Sequence, residues 1–100
     1  MKNSIQNDKL IENLNILEAA KLNKTASCLL ILKYHLNLRD LDKKDEDGNT
    51  PLHYACINKN KTIALALCQA GACPFIANKL NTSPSDYPFF KNDKDVSLKS

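Results

Sequence analysis

Residues 45–55, DEDGNTPLHYA, decide the fold. Thr50 is a favoured helix N-cap, and Pro51 at the first helical position loses only an amide that has no helical partner. Gly48 lies two residues before the cap, within a polar, charged stretch that is typical of a turn. The segment therefore predicts a turn followed by a helix that begins at Pro51 and runs to about Asn58.

The same pattern recurs 33 residues later in the chain. Residues 81–87, NTSPSDY, align with residues 48–54, GNTPLHY, so that Pro84 matches Pro51. Asparagine replaces glycine at the first aligned position, where it tolerates left-handed backbone better than most side chains. Serine replaces threonine and remains a suitable cap. A match at a fixed period of this length predicts a repeat protein.

Two helices are predicted before this segment. Asp8 is a helix-capping residue type, and apolar residues at helical spacing follow it as far as Lys21. A second helix is expected over residues 25–34, where the run 28–32, CLLIL, leaves little polar surface and favours deep burial. The residues Ala19 and Ala20 align with Ala55 and Cys56 at an offset of 36, three more than the later period.

Three features are predicted after the helix that begins at Pro51. A helix is expected to begin near Lys61 and to end at Gly71, because glycine adopts the left-handed conformation at a helix C-terminus with little strain. Pro88 is expected to break the last helix after one turn, because proline removes an amide donor. The polar residues 91–100 are expected to form a flexible tail.

Residues 45–80 resemble one complete ankyrin repeat. The residues that carry the resemblance are Asp45, Gly48, Thr50, Pro51, Leu52, His53, Ala55, Ile63, Leu65, Leu67, Gly71 and Ala72. The resemblance implies an all-α fold, a short ankyrin-repeat solenoid of about two and a half to three helix–loop–helix repeats in a domain spanning 1–90. Its parts would be an N-terminal capping repeat at 9–44, a complete repeat at 45–77 and a truncated repeat at 78–90. The last departs from the family, with Ser85 in place of a core leucine and Pro88 in place of alanine.

The resemblance also implies function. Ankyrin stacks bind other proteins through a concave surface of loops and inner helices, so we expect a protein-interaction module or adaptor and not an enzyme. The alternative is a stoichiometric inhibitor or regulator of a partner enzyme, including an effector of an intracellular bacterium or parasite. The partner-binding positions carried over from the family are Glu46, Asp47, Asn49, Ile57, Asn58, Lys79, Leu80 and Thr82.

Composition and charge exclude several other classes of function. The net charge is only +3, and basic and acidic residues are interspersed, which argues against nucleic-acid binding. No apolar run approaches the ~18 residues of a membrane span, and residues 1–8 lack the apolar core of a signal peptide. The expected location is the cytoplasm, or the cytoplasm of a host cell to which the protein is delivered.

The cysteines and histidines are expected to be structural. Cys28, Cys56 and Cys68 occupy positions for small apolar side chains, whereas Cys73 follows a helix end and is a candidate for exposure. The spacing of the four cysteines does not match a zinc site, and no metal or other cofactor is expected. His53 is expected to complete a helix cap with Thr50 and to bond a neighbouring loop carbonyl.

The aromatic residues near the end of the chain have two alternative roles. Tyr87, Phe89 and Phe90 can fold back and seal the last repeat. They can instead form an exposed apolar patch that docks on a partner or on another copy of the chain, giving self-association.

Overall fold

The computed structural model describes residues 15–35 and 40–92, which contain α-helices and a 3-10 turn but no strand. The helices are α1 (Ile16–Lys21), α2 (Thr25–Tyr34), α3 (Pro51–Ile57), α4 (Lys61–Ala70) and α5 (Pro88–Asn92), with the 3-10 turn at Pro84–Asp86. This confirms the all-α prediction. No helix in these ranges is long and apolar enough to cross a membrane.

The boundaries of α3 and α4 confirm the predicted start and stop signals. Thr50 has extended backbone and its side chain accepts a hydrogen bond from the amide of His53. Asn60 caps α4 in the same way by accepting from the amide of Ile63. Gly71 ends α4 with φ of 102°, the left-handed conformation that glycine adopts freely.

The first helical pair repeats this geometry at an offset of 36 residues. Both α2 and α4 have ten residues, and the turns before them contain left-handed residues, Asn23 with φ of 57° and Lys59 with φ of 54°. His35, with φ of 56°, ends α2 where Gly71 ends α4. The predicted alignment of the first two repeats is therefore confirmed.

The start of α1 differs from the sequence prediction. Asn15 has φ of −114° and ψ of 175°, and its side chain accepts from the amide of Glu18, so α1 begins at Ile16. A helix cannot pass through extended backbone, so one continuous helix from Asp8 to Lys21 is wrong. Asp8 itself lies outside the described residues.

The prediction of deep burial for α2 is also wrong. This helix packs mainly against α1 and α4, and only Cys28 and Ile31 are buried, whereas Leu29 and Leu30 are 39% and 50% exposed. Because α2 lies in the outer layer of the stack, one face contacts the core and the rest faces outward. An apolar run alone does not identify a helix with neighbours on all sides.

Small residues let the inner helices approach closely. Ala19, Ala20 and Ala55 are fully buried where α1 packs against α3. Leu52 is also fully buried, as predicted, and is the largest fully buried side chain of α3. Burying a leucine of this kind is worth roughly 1.5–3 kcal/mol relative to leaving it exposed.

The C-terminal segment folds back onto the stack. Tyr87 has extended backbone between the 3-10 turn and α5, so Pro88 ends one helical segment and begins the next. Phe90 is buried with 3% exposed, and Tyr87 and Phe89 pack half-buried against the core. This arrangement matches the predicted folding back of the aromatic residues. The helix α5 extends to Asn92, and the expected tail beyond it lies outside the described residues.

Candidate protein-binding surface

Two turns of the same construction lie at residues 45–49 and 78–82. In each, the first residue donates its amide to the carbonyl of the fifth, at 2.9 Å for both Asp45 and Asn78. The side-chain oxygen of the first residue also accepts from two backbone amides of its own turn. Asparagine thus substitutes for aspartate because only the acceptor oxygen is needed.

The two turns stack directly on each other. The amide of Lys79 donates to the carbonyl oxygen of Asp47 at 2.9 Å. Gly48 has φ of +80°, and a Cβ atom there would lie 3.0 Å from both Asn78 Cα and Lys79 N. Glycine is therefore required at position 48 by its conformation and by the closeness of the next turn. The stacking holds the two turn tips at a fixed spacing.

His53 joins α3 to the next turn. Its Nδ1 accepts from the amide of Thr50 at 2.9 Å, while its own amide donates to the Thr50 hydroxyl, forming a reciprocal cap. Because an amide can only donate, Nδ1 carries no proton, and Nε2–H donates to the carbonyl of Thr82 at 2.9 Å. The predicted cap and the predicted loop bond are both confirmed.

The environment of His53 favours its neutral form. Burial lowers the pKa of His53, and the bond to the Thr82 carbonyl offsets only part of this effect. The ring is fully buried and meets Tyr87 edge-on, with 6.4 Å between the ring centroids. Both ring nitrogens are used in hydrogen bonds, so His53 has a structural role in this surface.

A polar network below the turns was not predicted from the sequence. The hydroxyl of Tyr54 donates to the Asp45 carboxylate, and Asn78 donates its side-chain amide to Asn49 Oδ1 at 2.8 Å. Burial and the bond to Asp45 raise the pKa of Tyr54. Burial alone would raise the pKa of Asp45, but the bonds from Tyr54 and two backbone amides outweigh it and lower that pKa. The signal available in the sequence was the 33-residue spacing of Asp45 and Asn78.

Five of the residues predicted to bind a partner are exposed: Glu46, Asp47, Ile57, Lys79 and Leu80. We call these five the loop face. Leu80 is 84% exposed and Ile57 is 46% exposed, so both apolar side chains are accessible to a partner.

The other three predicted binding residues also stabilise the scaffold. Asn49 is 9% exposed, with its side-chain oxygen bonded to Asn78. Asn58 is half-buried and donates from Nδ2 to the carbonyl of Ala20 at 3.1 Å. Thr82 is half-buried and accepts from His53. Their contribution to binding stays a prediction.

Two grooves flank the loop face. The larger, of about 540 Å³, lies between α1 and residues 43–47 and has Leu17 in its lining. The smaller, of about 300 Å³, lies where the end of α3 faces Tyr87, Pro88 and Phe89.

The thiols have the structural roles expected of them. Cys28, Cys56 and Cys68 are buried, and burial raises the pKa of Cys28 to about 11 and that of Cys56 to about 12. Cys73, a candidate for exposure, is half-buried, and its amide donates to Asp42 Oδ1 at 2.9 Å. Within residues 15–35 and 40–92, no group of three or more His, Cys, Asp or Glu side chains is placed to hold a metal ion.

Comparison with known proteins identifies the family of this fold. The family model for ankyrin repeats, in three copies, matches residues 2–83. The chain belongs to the ankyrin-repeat family. Ankyrin repeats are generally non-enzymatic modules for binding other proteins, and this agrees with the function predicted from the sequence.

Relatives of this ankyrin domain are much longer proteins. Human oxysterol-binding protein-related protein 1 is 40% identical over 71 residues, which are 71% of this chain and 7% of that protein. The Caenorhabditis elegans homolog of ankyrin repeat and LEM domain-containing protein 1 is 53% identical over 36 residues, 36% of this chain and 5% of that protein. The chain therefore spans less than a tenth of the length of these relatives.

Proposed function

We propose that this ankyrin domain is an adaptor that binds a partner protein through the loop face. The observation that carries the proposal is the stacking of the two turns, in which the amide of Lys79 donates to the carbonyl of Asp47. This bond fixes the spacing of exposed side chains on both turns before any partner arrives. A surface ordered in advance loses less conformational entropy on binding.

The chemistry of the loop face supports a protein partner. It combines two carboxylates, one ammonium group and two exposed apolar side chains, contributed by Glu46, Asp47, Lys79, Ile57 and Leu80. Interfaces between proteins join apolar anchors to a polar rim in this way.

An affinity pull-down with the full chain, followed by mass spectrometry, tests the proposal. The test variant is Glu46→Lys combined with Asp47→Lys, and the control is Gln69→Lys with Ala70→Lys at the end of the outer helix α4, which also introduces two lysines. All four residues are exposed, so both double variants should keep the fold. A partner that is retained by the control and lost by the test variant supports the proposal. Equal recovery with both would contradict it.

A second measurement separates an adaptor from the alternative, an inhibitor of a partner enzyme. Once a partner is known, its turnover is measured with and without a saturating amount of this domain. Unchanged turnover agrees with an adaptor, whereas a stoichiometric loss identifies an inhibitor.

We propose a reducing compartment, the cytoplasm, as the place where the domain acts. Three buried thiols without disulfides support this, because such thiols are typical of reducing compartments. Fractionation of cells that express the full-length protein, with detection of this domain, tests the location. Recovery from an oxidising compartment would contradict it.

A further inference from the structure

The smaller groove comes from a departure of this chain from the repeat pattern. Pro88 lies 33 residues after Ala55, where the preceding repeat continues its inner helix. Here the backbone is extended at Tyr87 and a new helix begins at Pro88, with Phe89 as its second residue. The turn of the chain leaves a space of about 300 Å³ beside the end of α3. We call this space the C-terminal groove.

The walls of the C-terminal groove are mostly apolar. Ile57, Tyr87 and Phe89 supply large side chains, and all three keep part of their surface exposed. Its volume is at the small end of the range for ligand pockets, roughly 300–1,000 Å³. It is thus suited to one large side chain and not to an extended apolar surface.

The charge beside the groove favours an apolar side chain that has a carboxylate next to it. Burial raises the pKa of Tyr87 and raises that of Cys56 to about 12, so both are neutral at pH 7. Lys59 is exposed and is the member of the lining that carries a charge. A carboxylate next to the bound side chain would complement this ammonium group.

We propose that the C-terminal groove receives one large apolar side chain of a partner protein, flanked in the partner's sequence by an aspartate or glutamate that pairs with Lys59. This inference rests on the proposed function, because Ile57 belongs both to the loop face and to the groove. Desolvated pockets that hold one apolar or aromatic anchor typically contribute much of the affinity of a protein interface. The acidic pair Glu46 and Asp47 lies outside the lining, so it does not oppose an incoming carboxylate within the groove.

Terminally blocked peptides with the sequences Asp-Leu-Phe-Asp, Lys-Leu-Phe-Lys and Asp-Ser-Ser-Asp test this inference directly. Each is titrated into the ¹⁵N-labelled full chain, and amide shifts are followed by NMR. The acidic apolar peptide should shift the amides of Ile57, Lys59 and Phe89, with at least about tenfold weaker binding by the other two, a difference of about 1.4 kcal/mol. Equal binding of the three peptides, or shifts only elsewhere, would overturn it.

Two variants of the protein sharpen the test without disturbing the core. Lys59→Glu should reverse the preference, so that the lysine peptide binds more tightly than the aspartate peptide. Ile57→Ser should weaken both, and the control Lys33→Glu should change neither. Ile57, Lys59 and Lys33 are exposed, so thermal melts of all variants should match that of the parent chain. Persistence of the original preference in Lys59→Glu would refute the role of Lys59.

The pull-down partner distinguishes failure of this inference from failure of the proposed function. A partner lost by Glu46→Lys with Asp47→Lys but retained by Ile57→Ser and Lys59→Glu leaves the adaptor function intact and removes the groove from it. A partner retained by every variant contradicts both proposals.

Discussion

The turns at residues 45–49 and 78–82 have the same backbone hydrogen bonds but different residues at their fourth position. Gly48 is buried under the following turn, whereas Asn81 is exposed with φ of 60°. Both residues are left-handed, so the turn itself accepts glycine or asparagine. The comparison shows that the strict need for glycine in the middle repeat comes from its neighbour in the stack.

Leu52 and Ser85 occupy matched positions in two repeats. Substituting them should give the largest difference in the free energy of unfolding. Leu52 is fully buried, and Leu52→Ala should lower the free energy of unfolding by about 2–5 kcal/mol through lost burial and a cavity. Ser85 is the residue 33 positions later and is half-buried, so Ser85→Ala should cost much less. Denaturant unfolding of both variants measures the difference. Equal losses would show that the core does not centre on the middle repeat.

The next largest difference in destabilisation should come from substitutions at the fourth position of the two turns. Gly48→Ala places a Cβ atom 3.0 Å from backbone atoms of Asn78 and Lys79 and adds left-handed strain of roughly 1–2 kcal/mol. Asn81→Ala adds less strain, because Asn81 already holds an L side chain in left-handed backbone, and no contact of that kind is expected at its exposed position. Denaturant unfolding should therefore show Gly48→Ala as the more destabilised of the two. The opposite order would contradict the stacking argument.

Removal of the two helix caps should change the free energy of unfolding by amounts that differ less. Thr50→Ala removes the hydroxyl that accepts from the His53 amide, and it should cost about 1 kcal/mol. Thr50→Ser keeps the hydroxyl and serves as the control. In the last repeat the Ser83 hydroxyl donates to the exposed carboxylate of Asp86 at 3.1 Å, and water can replace that donor, so Ser83→Ala should cost less than Thr50→Ala. Thermal melts of the three variants decide whether this order holds.

The smallest effect should be a difference in pH dependence between the two caps. The pKa of His53 is lowered below 6.5 by burial, so the unfolded chain binds more protons just below that pH. Its contribution to stability is present above pH 6.5 and is lost as the pH falls below it. Hydrogen bonds from Ser83 lower the pKa of Asp86 below 3.8, so the contribution of that cap is lost only as the pH falls below 3.8.

Denaturant unfolding between pH 3 and 8 checks this difference in paired variants. In a plot of the free energy of unfolding against pH, His53→Gln should remove the part of the slope just below pH 6.5. Asp86→Asn should remove part of the slope below pH 3.8. An unchanged slope in His53→Gln would exclude His53 as its source.

Local signals explain which parts of the fold were predictable from the sequence. Thr50, Pro51 and Gly71 act within one helical turn, and they placed α3 and α4 correctly. Burial of Leu29 and Leu30 was predicted wrongly because it depends on which elements lie beside α2. A run of apolar residues carries no information about the layer in which a helix lies.

The site was predictable only in part for a related reason. Exposure of the turn tips follows from the repeat pattern, but the internal bonds of Asn49 and Asn58 depend on partners 29 and 38 residues away. The C-terminal groove also depends on where Tyr87 and Phe89 lie after Pro88 turns the chain. The sequence identified Pro88 as a break but did not indicate the direction of the following segment.

The bonds that join one repeat to the next often end on backbone carbonyl oxygens. Asn58 donates to Ala20, His53 donates to Thr82, and Lys79 donates to Asp47. Every amino acid supplies a carbonyl oxygen, so a mutation of the accepting residue's side chain leaves each of these bonds available. The hydrogen bond itself therefore places no demand on the accepting side chain, so the exposed side chain of Asp47 is free to diverge, whereas Ala20 is kept small by its packing between α1 and α3. The side chain at position 47 can thus change what the surface binds without loosening the bond that joins the two turns.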